Sequence, residues 1–190
     1  MERKAIIKWL KIFSISFLII SIVGLVDLIL FSSVISVTLD SQQYNILSII
    51  FQEGFMSFHA MLLWIVLLSI FSSFIVLSYS IFRVANNDTV DNNILAKFIL
   101  LIGLFLIIGG FITMNLIVLL GNSHIWTGLT NVTFQNAIYA PSITPIFGAI
   151  MWMYFTIAIS CFLVSGLIFG SIGLKWMLLI QEEETISEHS

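Results

Sequence analysis

Long, nearly unbroken apolar runs alternate along this chain with shorter polar stretches. A hydrocarbon core about 30 Å thick needs about 20 apolar residues of helix. Four segments are long enough: about 12–39, 54–82, 98–120 and 146–174, the last able to continue through Trp176 to Ile180. Each is apolar around its whole circumference, as a helix surrounded by lipid must be. The first holds a single acidic residue, Asp27, and the second holds His59. The only prolines, Pro141 and Pro145, sit just before the fourth segment, where they suit a loop and a helix start rather than a kink. The expected fold is all-α: an integral membrane, four-transmembrane-helix bundle forming one membrane domain over residues 1–190.

Composition agrees with the pattern. Of 190 residues, 59% are hydrophobic and 9% charged. A soluble domain carries about 25% charged residues, so this chain could not cover a water-facing surface. Mean hydropathy is +1.12. The net charge of −3 points to no partner, and no basic tract interleaved with aromatics suggests nucleic acid. The apolar run after MERKAIIKWLKIF is too long for a signal-peptide core and no small-x-small site closes it cleanly, so it reads as a retained first helix. There is no C-terminal CaaX box, and Glu2 stands where myristoylation needs glycine.

Charge position sets the expected orientation. Arg3, Lys4, Lys8 and Lys11 precede the first segment, Arg83 and Lys97 bracket the link between the second and third, and Lys175 ends the fourth. The links at about 40–53 and 121–145 contain no Lys or Arg. The positive-inside rule then predicts both termini in the cytoplasm of a cell membrane and two longer loops outside. Trp9, Trp126, Trp152 and Trp176 fall near predicted interfaces, where an indole is favoured. The first outer loop carries Ile46, Ile49 and Ile50, the spacing of a short helix lying on the membrane surface. The second mixes Gly, Asn and Thr with Trp126, Phe134 and Tyr139, and is expected to be an ordered cap. The acidic tail, 181–190, is expected to be solvated and mobile. Asp27 lies 16 residues after Lys11 and Asn115 lies 18 after Lys97, a faint sign of a two-fold repeat of helical hairpins.

Asp27 is the sharpest chemical signal. A carboxylate near the middle of a membrane helix costs roughly 2.5–3.5 kcal/mol on insertion scales. It should face the bundle interior and pair, bond to polar neighbours, or stay protonated. It is either a proton or cation site or a structural carboxyl. His59 is a candidate proton carrier or heme ligand, or simply an interfacial imidazole; His124 is the only other histidine on that side. Asn115, Tyr154 and Thr156 map to the same outer half. With Asp27 and His59 they define a candidate polar pocket opening outward, with Glu53 at its mouth. Ordinary interhelical hydrogen bonding is the alternative use.

Other features are less specific. Gly166 and Gly170 form a GxxxG with Gly173 following, and Gly103, Gly109 and Gly110 supply small positions in the third segment, suited to close helix packing. Ser32, Ser33, Ser69, Ser72 and Ser73 can bond to their own helix carbonyls. Asn131 begins an NVT sequon in an outer loop and is a possible glycosylation site; Asn87 begins NDT in the inner loop and should be unmodified. Cys161 is the lone cysteine, with no CxxC or Cys/His spacing for a metal. No P-loop, GxSxG, HExxH or Rossmann fingerprint occurs.

The stretch YNILSIIFQEGFMSFHAMLLW, ending at Trp64, is similar in layout to the start of heme-copper oxidase subunit I. The resemblance implies a heme-ligating role for His59 and a respiratory-chain association. It covers about 20 residues. Ala60 stands where that family has glycine, and no later helix supplies the partner ligands.

The expected function is a non-enzymatic structural or accessory subunit of a membrane complex. Its partners would be the lipid bilayer and other membrane subunits or a second copy. The alternatives are a small transporter or proton/cation-conducting protein using Asp27, and a heme- or quinone-binding subunit using His59.

Overall fold

The computed structural model describes residues 3–52, 56–87, 90–126 and 131–188. Helix α1 (Arg3–Val34) leads into an antiparallel hairpin, β1 (Ser36–Leu39) and β2 (Gln42–Asn45), then a six-residue helix α2 (Ile46–Phe51) and helix α3 (Phe58–Ala85). The order then recurs: α4 (Asn92–Gly121), β3 (His124–Trp126), β4 (Asn131–Thr133), α5 (Phe134–Tyr139) and α6 (Ile146–Glu188). Four helices, α1, α3, α4 and α6, are long and apolar enough to cross a membrane. The chain is thus mostly helical.

Three expectations about element limits change. The first span ends at Val34, not residue 39. Ser36–Leu39 leave the helix for a strand whose Val37 and Leu39 are buried while Ser36 and Thr38 are half-exposed. Asp40 and Ser41 have φ of 50° and 66°, and Leu39 pairs with Gln42. Two left-handed residues between paired positions make a two-residue hairpin whose twist matches the strands. Hydropathy alone could not separate this strand from more helix. Next, the short helix at Ile46 exists, but Ile46, Ile49 and Ile50 are buried in the protein rather than laid on lipid. Finally, α6 carries on through the acidic tail as far as Glu188.

The repeat is much stronger in three dimensions than in the letters. The eight buried positions of α3 (Ala60, Trp64, Leu67, Phe71, Phe74, Ser78, Ile81 and Ala85) are matched by residues 148, 152, 155, 159, 162, 166, 169 and 173 of α6, each 88 further on and each buried. Trp64 and Trp152 are one such pair. The buried face of α1 maps onto α4 in the same way, from Ile6 with Leu95 to Ser32 with Gly121, at an offset of 89. The caps coincide as well. The Ile46 N–H donates to the Ile35 carbonyl at 3.1 Å, and the Phe134 N–H donates to the Ser123 carbonyl at 2.8 Å. Lys8 matches Lys97 in this register, while Asp27 matches Leu116 rather than Asn115. The pairs Lys11–Asp27 and Lys97–Asn115 are therefore not equivalent marks, although the duplication they suggested is present.

Within each half the long helices pack together, α1 on α3 and α4 on α6; between halves α1 meets α6 and α3 meets α4, as a two-fold relation requires. Both hairpins lie at one end of the bundle, where the Thr38 N–H donates to the Ile143 carbonyl at 2.7 Å. At the opposite end, the Arg3 guanidinium donates to the Val90 carbonyl at 2.7 Å. The chain therefore contains parallel repeats, the second entering from the same end as the first.

The interior is aromatic. Phe31 is fully buried and packs against Trp64 of its own half and Phe134, Trp152 and Phe155 of the other, with ring centroids 5.7–6.5 Å apart. Deeper, Phe162 joins Phe17 at 4.7 Å and Phe74 at 4.2 Å. Glycine sets the closest helix contact. A Cβ on Gly103 would strike the backbone of Gly170 and lie 2.9 Å from the Gly166 carbonyl oxygen; one on Gly173 would lie 2.5 Å from the Leu100 nitrogen. Gly110 lies against Leu163 in the same way. Gly103, Gly110, Gly166 and Gly170 all lie at the contact between α4 and α6.

Candidate functional site

The polar residues expected to share a pocket are distributed as follows. Asp27 lies on α1, seven residues or roughly 10 Å before its end. It is half-buried, and its Oδ2 is buried without a hydrogen-bond partner. Tyr154, at similar depth on α6, is half-buried and donates its hydroxyl to the Ile20 carbonyl of α1 at 3.1 Å. Asp27 on α1 and Tyr154 on α6, whose hydroxyl reaches the α1 backbone, mark a polar seam between these two helices.

The other candidates lie elsewhere. His59 is exposed in the first turn of α3, and Asn115 is exposed on α4, where its amide donates to the Phe111 carbonyl at 2.8 Å. His124 is exposed on β3. Thr156 is exposed on α6 and looks outward, away from the bundle axis. Asn131 is exposed on β4, as a sequon acceptor needs to be. Glu53 lies outside the described residues. The arrangement therefore places Asp27 beside Tyr154 but brings neither His59 nor Asn115 to them.

Thr156 belongs to a different feature. With Ile157, Ser160, Cys161, Val164 and Ser165 it lines a groove of about 430 Å³ on the outward face of α6. Small side chains one and two turns apart leave the helix surface hollow there. Sequence reasoning named Thr156 and Cys161 but missed Ser160 and Ser165. The signal was present as small polar residues at 156, 160, 161 and 165 in an otherwise large-residue helix.

Most other lipid-level hydroxyls satisfy themselves. Ser33, Ser69, Ser72, Ser73, Ser80 and Ser160 each donate to the carbonyl four residues earlier at 2.7–2.9 Å. Such back-bonding removes the cost of a polar group in hydrocarbon. Among the buried side-chain oxygens of the described residues, Asp27 Oδ2 and Ser21 Oγ have no partner. No group of three or more potential metal ligands occurs among those residues.

No family model matches the chain, and no curated protein or solved structure matches it either. The fold is an internally duplicated, mostly helical chain with four helices long and apolar enough to span a membrane.

Proposed function

We propose that this chain is a non-enzymatic structural or accessory subunit of a complex in the cell membrane, with both termini cytoplasmic. The observation that supports it most is the packed aromatic interior. Phe17, Phe31, Trp64, Phe71, Phe74, Phe155 and Phe162, each no more than 2% exposed, fill the axis of the bundle with side chains from both halves. A close-packed core of this kind leaves no room for an aqueous path down the middle. The polar groups lie instead off the axis, at Asp27 and Tyr154 and along the outward groove of α6. The orientation rests on Arg3, Lys4, Lys8, Lys11, Arg83, Lys97 and Lys175, all toward the end opposite the hairpins.

A conducting role using Asp27 is the second reading, favoured by its unpartnered Oδ2. It requires a pathway between copies rather than through one. Extraction of the protein from native membranes into lipid nanodiscs tests the leading reading. We expect a stable heteromeric particle well above the 21.4 kDa of one chain. A lone chain contradicts it, and ion flux in proteoliposomes abolished by Asp27→Asn replaces it with the second reading.

A further inference from the structure

At the end opposite the hairpins, the first half keeps a gap between its two long helices. Ser14, Ile15 and Leu18 of α1 and Ser78, Tyr79 and Phe82 of α3 line a groove of about 180 Å³. Both serine hydroxyls turn back to their own helices, to the Lys11 and Phe74 carbonyls at 2.8 Å. The walls therefore present hydrocarbon. Ile15, Tyr79 and Phe82 are exposed, so the groove opens sideways to whatever surrounds the bundle. A helix about 10 Å across does not fit a gap of this size, whereas a run of methylenes does.

The mouth of the groove is cationic. Lys11 lies one turn before Ser14 and Ile15 on the same face of α1, and Lys8 lies one turn before Lys11. Arg83 follows Phe82 and lies one turn beyond Tyr79 on α3. Lys8 and Arg83 are exposed and Lys11 is half-buried. All three fall within roughly 10 Å of the serine pair along the helix axes. Asp27, well away toward the hairpin end, is the sole acidic residue of these two helices, so no carboxylate on either one neutralises them.

The second half lacks both features. Lys11 corresponds to Leu100 and Arg83 to Ser171, and only Lys8 has a basic counterpart, Lys97. Leu18 corresponds to Ile107, which packs onto α6 so closely that a Cβ on Gly166 would lie 2.9 Å from it. Lys175, the other cation of that half, lies nine residues from Gly166 and so on the opposite side of α6. Gap and cations occur together in one half and are replaced together in the other. Marking an end for the cytoplasm needs cations near that end, not cations gathered at a gap.

We propose that the α1–α3 groove holds an acyl chain of an anionic phospholipid from the leaflet at the basic end, with the lipid phosphate on Lys11 and Arg83 and Lys8 beside it. The groove supplies apolar contact. The cations select the headgroup, because a zwitterionic lipid brings no net charge to them. The inference stands apart from the accessory-subunit reading, since one chain alone forms the site.

The full-length protein in phosphatidylcholine nanodiscs tests this with a phosphatidylglycerol carrying a photoreactive group in its acyl chain. Adducts, mapped by mass spectrometry, should concentrate on Ile15, Leu18, Tyr79 and Phe82. Unlabelled phosphatidylglycerol should compete at least tenfold better than added phosphatidylcholine. Lys11→Leu combined with Arg83→Ser installs the residues of the second half and so keeps the packing. It should bring the two competitors within about threefold of each other. Ile15→Trp fills the groove and leaves every cation in place, and should cut the adducts at Leu18 and Tyr79 severalfold. Adducts spread evenly over the four long helices, or equal yields at Leu104 and Leu167 of the second half, overturn the proposal. A headgroup preference that survives loss of both cations overturns it as well. Competition by inorganic phosphate as strong as by phosphatidylglycerol replaces the lipid with a free anion. Cross-linking of two copies of the chain through the groove replaces it with a dimer contact.

Discussion

Small differences in side-chain size decide how closely these helices approach. Gly103 and Gly170 are neighbours across the α4–α6 contact, yet they are not interchangeable. A Cβ on Gly103 runs into the Gly170 backbone, which cannot move aside, whereas a Cβ on Gly170 meets only Ile107 Cδ1 at 3.9 Å. Gly103→Ala should therefore lower stability by about 1–3 kcal/mol through overpacking. Gly170→Ala should be neutral or slightly stabilising, because alanine is the better helix former by up to about 1 kcal/mol. Reversible unfolding in mixed detergent micelles measures both, and equal destabilisation by the two would contradict the packing. In the first half, Ser14 and Ser78 occupy the places of Gly103 and Gly166. Both hydroxyls turn back to their own helices, Ser14 to the Lys11 carbonyl and Ser78 to the Phe74 carbonyl, each at 2.8 Å. Two different residue types thus solve the same packing problem.

The short helices α2 and α5 show how local chemistry holds elements too short to stand alone. A helix of six residues is unstable in isolation. Each is held by its buried face and by a cap. The Ser48 N–H donates to Asn45 Oδ1 at 2.6 Å, and the Asn136 N–H donates to Thr133 Oγ1 at 3.3 Å. The shorter bond is the stronger one. Asn45→Ala should cost about 1–2 kcal/mol of local stability, and Thr133→Ala about half as much. Amide exchange in α2 and α5 reads this out directly, and a larger effect at Thr133 would contradict the geometry.

These elements also mark what the letters concealed. The four long helices were legible because hydropathy over 20 residues is a strong signal. The hairpins were not, because Ser36–Leu39 is as apolar as the helix before it, and its strand character depends on the left-handed turn at Asp40 and Ser41. The glycine contacts were legible as a motif. The seam was half-legible: Asp27 and Tyr154 were named, but their separation from His59 and Asn115 follows from helix rotation. In the apolar segments periodicity gives no facing, since lipid and core both accept the same residues.

Taken together, the chain is two copies of one unit: a long helix, a hairpin, a six-residue helix and a second long helix. The copies share buried positions at a near-constant offset and close around common aromatics such as Phe31. Their side chains diverge at buried and outward positions alike, as at Phe17 and Leu106 or Val66 and Tyr154. At Asp27 and Tyr154 the halves differ in polarity, since their counterparts are Leu116 and Val66.

Parallel repeats in one bilayer make a claim that can be checked in living cells. Both hairpins must lie on one side of the membrane, and the link between the copies must lie on the other. Single cysteines at Gln43, Asn131, Asn86 and Glu182, each in a Cys161→Ser background, can be probed with a membrane-impermeant maleimide. All four positions are exposed. Residues 43 and 131 should label in intact cells, and residues 86 and 182 only after permeabilisation. Labelling of 43 and 131 from opposite sides would contradict the duplication in the membrane, and labelling of 86 from outside would overturn the orientation.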